Sequence, residues 1–241
     1  MSSEPWELVE TPSRYDDYNW YSDDVPARKF YLFLAEIGRR LRHLMTDPGP
    51  IKMIDLCEQC AEGQFTEDEL SDVSEEHRPA SPGQSYTADV ADYLYFWVAD
   101  RYKVSTRSFY YAADVFAFLA AVEAGLLSPQ VHDSEEVEAV RGHPIFASAR
   151  DRTELEWGAL VRDIYGPNPF RTATFEPRWR TAEVIGMARR IYDERDFTAL
   201  PVLADALEDA GCDEANVLAH CRGRGPHVRG CWAVDLVLAK E

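Results

Sequence analysis

The chain lacks most of the features that announce a function. Its 241 residues contain no GxSxG, no HExxH, no glycine-rich phosphate loop and no ordered Ser/His/Asp set, so no familiar hydrolase, zinc-protease or nucleotide-binding motif is spelled out. Met1 to Glu10 carries no positive run ahead of an apolar core, as a secretory signal requires. The longest apolar-leaning stretch, Ala112 to Leu127, is interrupted by Asp114, Glu123 and Gly125 and is too short to span a bilayer. Cysteine is sparse and odd in number, five in all, which does not suggest a disulfide scaffold and points to a reducing cytoplasm. Positive charge is scarce too: 25 Lys plus Arg against 43 Asp plus Glu leave a formal charge of -18. Such a surface repels phosphate backbones, so direct nucleic-acid binding is not expected, and with no apolar run long enough to span a bilayer no membrane partner is expected either. Alternating strand patterns of useful length are missing as well.

What is present is apolar periodicity. Apolar residues make up 46% of the chain and aromatics 12%, enough for a packed core. Residues 1–25 form an acidic lead-in crowded with Trp6, Tyr15, Tyr18, Trp20 and Tyr21, with Asp24 as a candidate cap ahead of Pro26. Phe30, Phe33, Leu34, Ile37, Leu41 and Leu44 then recur at helical steps until Asp47-Pro48-Gly49-Pro50 stops the run. A second helix with Ile54, Cys57 and Ala61 on one face ends near Gly63, and Thr66 with Glu69 has capping-box spacing for a third. Residues 26–76 thus form a helical N-terminal part, and the Pro- and Ser-rich stretch 77–86 is the linker candidate.

In the remainder, 87–241, helices are predicted around Val90–Val98, Phe109–Ala120, Ser134–Arg141 and Leu155–Ile164. Within 181–241 the stripes are clearest: Val184, Ala188 and Ile191, then Leu200, Leu203 and Leu207 between Pro201 and Gly211. Asp213 is placed to cap a short helix holding Val217 and Leu218, and Trp232 to Leu238 closes the chain. The predicted fold is all-α, a multi-helix bundle of antiparallel helix pairs.

Three stretches carry a resemblance: Ala27 to Leu70, Leu160 to Arg180, and Ile191 to the end, where LPVLADALEDAGC and HCRGRGPHVRGCWAVDLVLAKE stand. Together they resemble an uncharacterised bacterial protein family that some genomes hold in many copies, and the third stretch looks like its C-terminal signature. The resemblance does not extend over Asp72 to Arg152. It implies a bacterial origin and a helical fold, and no reaction. Family members often carry a cysteine-rich run where this chain has Leu34-Ala35-Glu36-Ile37, so no cysteine ligand set is expected there.

Chemistry has few places to reside. His220, Cys221, His227 and Cys231, with Cys212 near them, are the residue types of a closed zinc site. Their spacing departs from the common finger patterns. The expectation is therefore that Cys212 and Cys231 are small buried groups at helix ends and that His220 and His227 bond backbone carbonyls, with zinc as the alternative cofactor. Cys57-Glu58-Gln59-Cys60 is a CxxC, but it sits inside a helix with no strand before it, and reads as core. Arg222, Arg224, His227 and Arg229 concentrate positive charge in one loop, either to hold a partner or anion or to tie down the protein's own acids. Asp205, Glu208 and Asp209 share one helix and read as a solvated face.

The function expected from these features is a non-catalytic helical protein-interaction module, a regulator, adaptor or sensor subunit whose partner is another protein. An acidic inhibitor or nucleic-acid mimic, and a metal-dependent enzyme built on the His220–Cys231 loop, are the alternatives.

Overall fold

The structure, a computed structural model, describes residues 26–45, 48–76, 106–128, 134–166 and 175–240. The lead-in 1–25, the linker 77–86 and the helix expected around Val90–Val98 lie outside the described residues. Among the described residues there are ten α-helices and no strand: α1 Ala27–Leu41, α2 Pro48–Ala61, α3 Glu67–Glu76, α4 Thr106–Glu123, α5 Ser134–Arg141, α6 Pro144–Tyr165, α7 Ala182–Glu194, α8 Leu200–Asp209, α9 Ala215–Cys221 and α10 Trp232–Leu238. None of these helices is long and apolar enough to cross a membrane. The fold is all-α, built of packed helix pairs. It divides into two compact units, one ending at Gly158 and one starting at Ala159, so that α6 contributes its last turns to the second.

In the N-terminal unit, α1 buries Phe30, Phe33, Leu34, Ile37 and Leu41, the stripe the periodicity predicts, against Met53, Ile54, Leu56 and Cys57 of α2. Arg39 and Glu58 pair across the two helices. Pro48-Gly49-Pro50 does not merely end the first run: it forms the opening turn of α2, where a proline's missing N–H has no partner to lose. The capping box at α3 is present in both directions, with Thr66 N–H donating to Glu69 Oε2 at 2.8 Å and Glu69 N–H donating to Thr66 Oγ1 at 3.2 Å. A further cluster joins α4, α5 and α6 through Phe118, Val140 and Phe146, with the two phenyl rings edge to face at 4.8 Å. α6 begins eleven residues before Leu155, which is exposed at 46% and not part of the buried face expected of it.

The C-terminal unit positions the site. Thr181 caps α7 by accepting from Val184 N–H at 3.2 Å. Val184, Ala188, Ile191 and Tyr192 of α7 pack with Leu200, Leu203, Ala204 and Leu207 of α8, Val217 and Leu218 of α9, and Trp232, Val234 and Val237 of α10. Gly211, at φ +85°, ends α8 in the left-handed region that glycine reaches without strain. The cap of α9 is Glu214, which accepts from Asn216 N–H, and not Asp213 one position earlier. Arg180 closes the unit by donating to the carbonyls of Leu236 and Val237 at 2.9 and 3.1 Å, satisfying the otherwise open end of α10.

Trp232 is 9% exposed and is one of the largest side chains in this core. Trp232→Ala is expected to destabilise the C-terminal unit by about 3–5 kcal/mol in a denaturant titration. A loss well under 1 kcal/mol, on the order of a surface change, would contradict this packing.

Candidate metal centre

The last turns of α6 present an unusual residue. Trp157, Leu160, Val161 and Ile164 give that helix its buried positions, yet Asp163 stands among them with only 2% of its surface exposed. A carboxylate removed from water needs compensating charge and hydrogen bonds. It finds them on the last turn of α9 and in the loop between α9 and α10. His227 Nδ1 lies 2.7 Å from Asp163 Oδ1, and His220 Nε2 lies 3.1 Å from the same oxygen. Val228 N–H donates to Oδ2 at 2.9 Å. Cys231 Sγ, fully buried, lies 3.2 Å from His220 Nε2. One donor atom from each of Asp163, His220, His227 and Cys231 lies within 4.8 Å of all the others.

Each donor is placed by local structure. His220 lies on the last turn of α9, its ring 4.9 Å from that of Trp232. Cys231 is the residue before the first turn of α10, so its sulfur sits at the amide end of that helix. His227 turns its second nitrogen, Nε2, to the carbonyl of Gly223 at 3.3 Å. Gly225 makes the intervening bend possible: its φ is +79°, and a Cβ there would sit 2.8 Å from His227 N.

The electrostatics follow from this packing. Burial works to raise the Asp163 carboxyl, but the hydrogen bonds and charges of His220 and His227 override it and hold the group below the ordinary range. Burial works to lower His227, yet the facing carboxylate leaves it raised. Both ring nitrogens of His227 face oxygen acceptors, so the doubly protonated ring satisfies both. Burial, then the Asp163 charge, pushes the Cys231 thiol well up, and the same causes carry Cys221 up to about 12.

Of the four ligand candidates read from the sequence, three meet here and the fourth does not. Cys221 follows His220 on α9 and so points roughly 100° away from it, into the apolar core beside Val217 and Leu218. Asp163 takes its place. It is distant in sequence, and the one local sign of it is an acid on the buried face of a helix between Leu160 and Ile164. His227 does bond a backbone carbonyl, and Cys212 and Cys231 are buried at helix ends, but both histidines also converge on the carboxylate.

The arginines divide. Arg222 donates to Asp205 at 2.7 Å and pairs with Glu208, so two acids of the α8 face are occupied by the loop. Arg229 lies 4.7 Å over the Tyr192 ring and donates to the Tyr192 carbonyl at 3.4 Å. Arg224 is exposed. In the other unit Cys57 is buried in the α1–α2 core, where burial drives its thiol far up, the opposite of what a redox pair needs.

No protein-family model, curated protein or solved structure matches this chain. The chemistry of the cluster rests on its own geometry. Two nitrogens, one sulfur and one carboxylate oxygen are the donor set of a borderline-soft divalent ion. Bonds of about 2.0–2.3 Å in a tetrahedron set ligand–ligand edges of about 3.3–3.7 Å; the three short pairs, at 2.7, 3.1 and 3.2 Å, reach these by opening, and the wider pairs, within 4.8 Å, by closing.

The two arginine contacts differ in worth. Arg229→Ala is expected to cost about 0.5–2 kcal/mol, because a cation over a buried ring is lost. Arg222→Ala, which removes an exposed ion pair, is expected to leave thermal melting unchanged within error. Equal losses for both variants would show that the loop is not anchored through Tyr192.

Proposed function

We propose that the C-terminal unit is a zinc-binding structural module, with Asp163, His220, His227 and Cys231 as the ligands, and that the chain serves as a non-catalytic helical interaction protein built around it. The observation that carries this reading is the convergence of four donor atoms within 4.8 Å, supplied by α6, α9 and the loop before α10. The outer hydrogen bonds support it. With Nδ1 of His227 on the ion, Nε2–H still donates to Gly223 O, and with Oδ1 of Asp163 on the ion, Oδ2 still accepts from Val228 N–H. Such outer partners orient metal ligands and fix the histidine tautomer. The ion brings the positive charge that a buried carboxylate and a buried thiolate require, and it displaces the protons that the histidines and the thiol otherwise hold.

Four protein ligands fill a tetrahedral shell and leave no position for substrate, which favours a structural ion over a catalytic one. With its ligands on α6, α9 and the loop, such an ion ties non-contiguous segments into one surface, as an interaction module needs.

The purified chain, stripped of metal, is expected to take up about one equivalent of zinc, or of cobalt as a coloured probe with tetrahedral and thiolate-to-metal bands. Cys231→Ser should abolish the thiolate band. Gly225→Ala, which disturbs only the placing of His227, should weaken affinity about 10–100-fold. Failure to bind either ion, or a cobalt spectrum indifferent to Cys231→Ser, would remove the proposal.

A further inference from the structure

The helical core and the loop depend on the site to different degrees. The buried cluster of the C-terminal unit is assembled from Trp179, helices α7 to α10, Cys212 and Cys231, and takes no residue from 222–230. Within that loop, Arg222 is tied to α8 and Arg229 to Tyr192. Between these two posts, Gly223 N–H still closes the end of α9 on the His220 carbonyl. From Arg224 to Val228, the hydrogen bonds that reach described residues outside the loop end on two residues: the Asp163 carboxylate, through His227 and Val228 N–H, and Cys231, whose N–H donates to the Val228 carbonyl at 2.9 Å. Arg224 and Gly225 are exposed, while Val228 is buried. The segment is thus held at two residues, Asp163 and Cys231, and both are proposed metal ligands.

We infer that zinc is a conditional lock on residues 223–228: the bound ion holds the segment against α6, and removal of the ion releases it while the helices stay folded. This rests on the metal reading above and adds regulation to it. An ion bonded to Asp163, His227 and Cys231 clamps the segment at its base, at its bend and at its exit. Without the ion, the hold reduces to hydrogen bonds on one buried carboxylate and the single bond from Cys231 N–H to the Val228 carbonyl. Release frees His227 and Val228 and moves Arg224, so the surface offered to a partner changes with zinc supply. The core cluster keeps its apolar contacts in either form, which makes the change local.

Hydrogen exchange read by mass spectrometry on the full chain separates the possibilities. The chain is compared with one equivalent of zinc and with excess chelator, and bound metal is measured in the same samples. Zinc is expected to slow exchange at Gly223, Arg224, Gly225, His227 and Val228 by at least about tenfold, while peptides from α7 and α8 change by less than about twofold. Asp163→Asn, at the same zinc concentration, should resemble the chelated protein in that segment. If zinc binds but leaves the segment unchanged, or protects α7 and α8 equally, the lock is wrong and the metal site stands. If zinc does not bind, both readings fall together.

Discussion

A single buried carboxylate organises the C-terminal unit of this chain. Asp163 sits on the apolar side of α6 with 2% of its surface exposed, and the loop from His220 to Cys231 is arranged so that its polar groups reach it. A carboxylate in that position is tolerated only with charge and hydrogen bonds around it. Removing one partner from such a buried arrangement costs about 3–5 kcal/mol, because the remaining charge is stranded. The path of the loop, the orientation of both imidazoles and the bend at Gly225 are consequences of meeting this requirement.

The same requirement is what a divalent ion meets best. Two imidazoles lie within hydrogen-bond distance of one carboxylate, but they leave Cys231 as a buried thiol beside a negative group, with its ionisation opposed by burial and by Asp163. An ion bonded to all four donors neutralises carboxylate and thiolate together, and each histidine contributes a lone pair in place of a proton. The arginines of the loop then take a framework role: Arg222 on the acids of α8 and Arg229 on Tyr192 hold its ends.

Much of the helical layout is local and was legible as such. The stripes from Phe30 to Leu41, Val184 to Ile191 and Leu200 to Leu207 are buried as their spacing predicts, and the Thr66–Glu69 capping box is formed. These features depend on residues three and four apart, so the chain displays them directly. Errors arose where two local signals compete. Pro48-Gly49-Pro50 reads equally as a stop and as a first turn, and Asp213 and Glu214 are both able to cap α9. The site was harder because its ligands are not local. His220, His227 and Cys231 are within eleven residues of one another, while Asp163 lies more than fifty residues earlier on another helix. Cys221 was grouped with them by proximity, although consecutive helical residues face different ways.

The coordination shell itself is the sharpest point of attack. X-ray absorption at the zinc edge, on metal-reconstituted protein, reads the ligands directly. Expected is a four-coordinate ion with one sulfur at about 2.3 Å and three nitrogen or oxygen atoms at about 2.0–2.2 Å. A six-coordinate shell of oxygen atoms without sulfur would place the ion elsewhere, and the role assigned to Asp163 and its partners would fail.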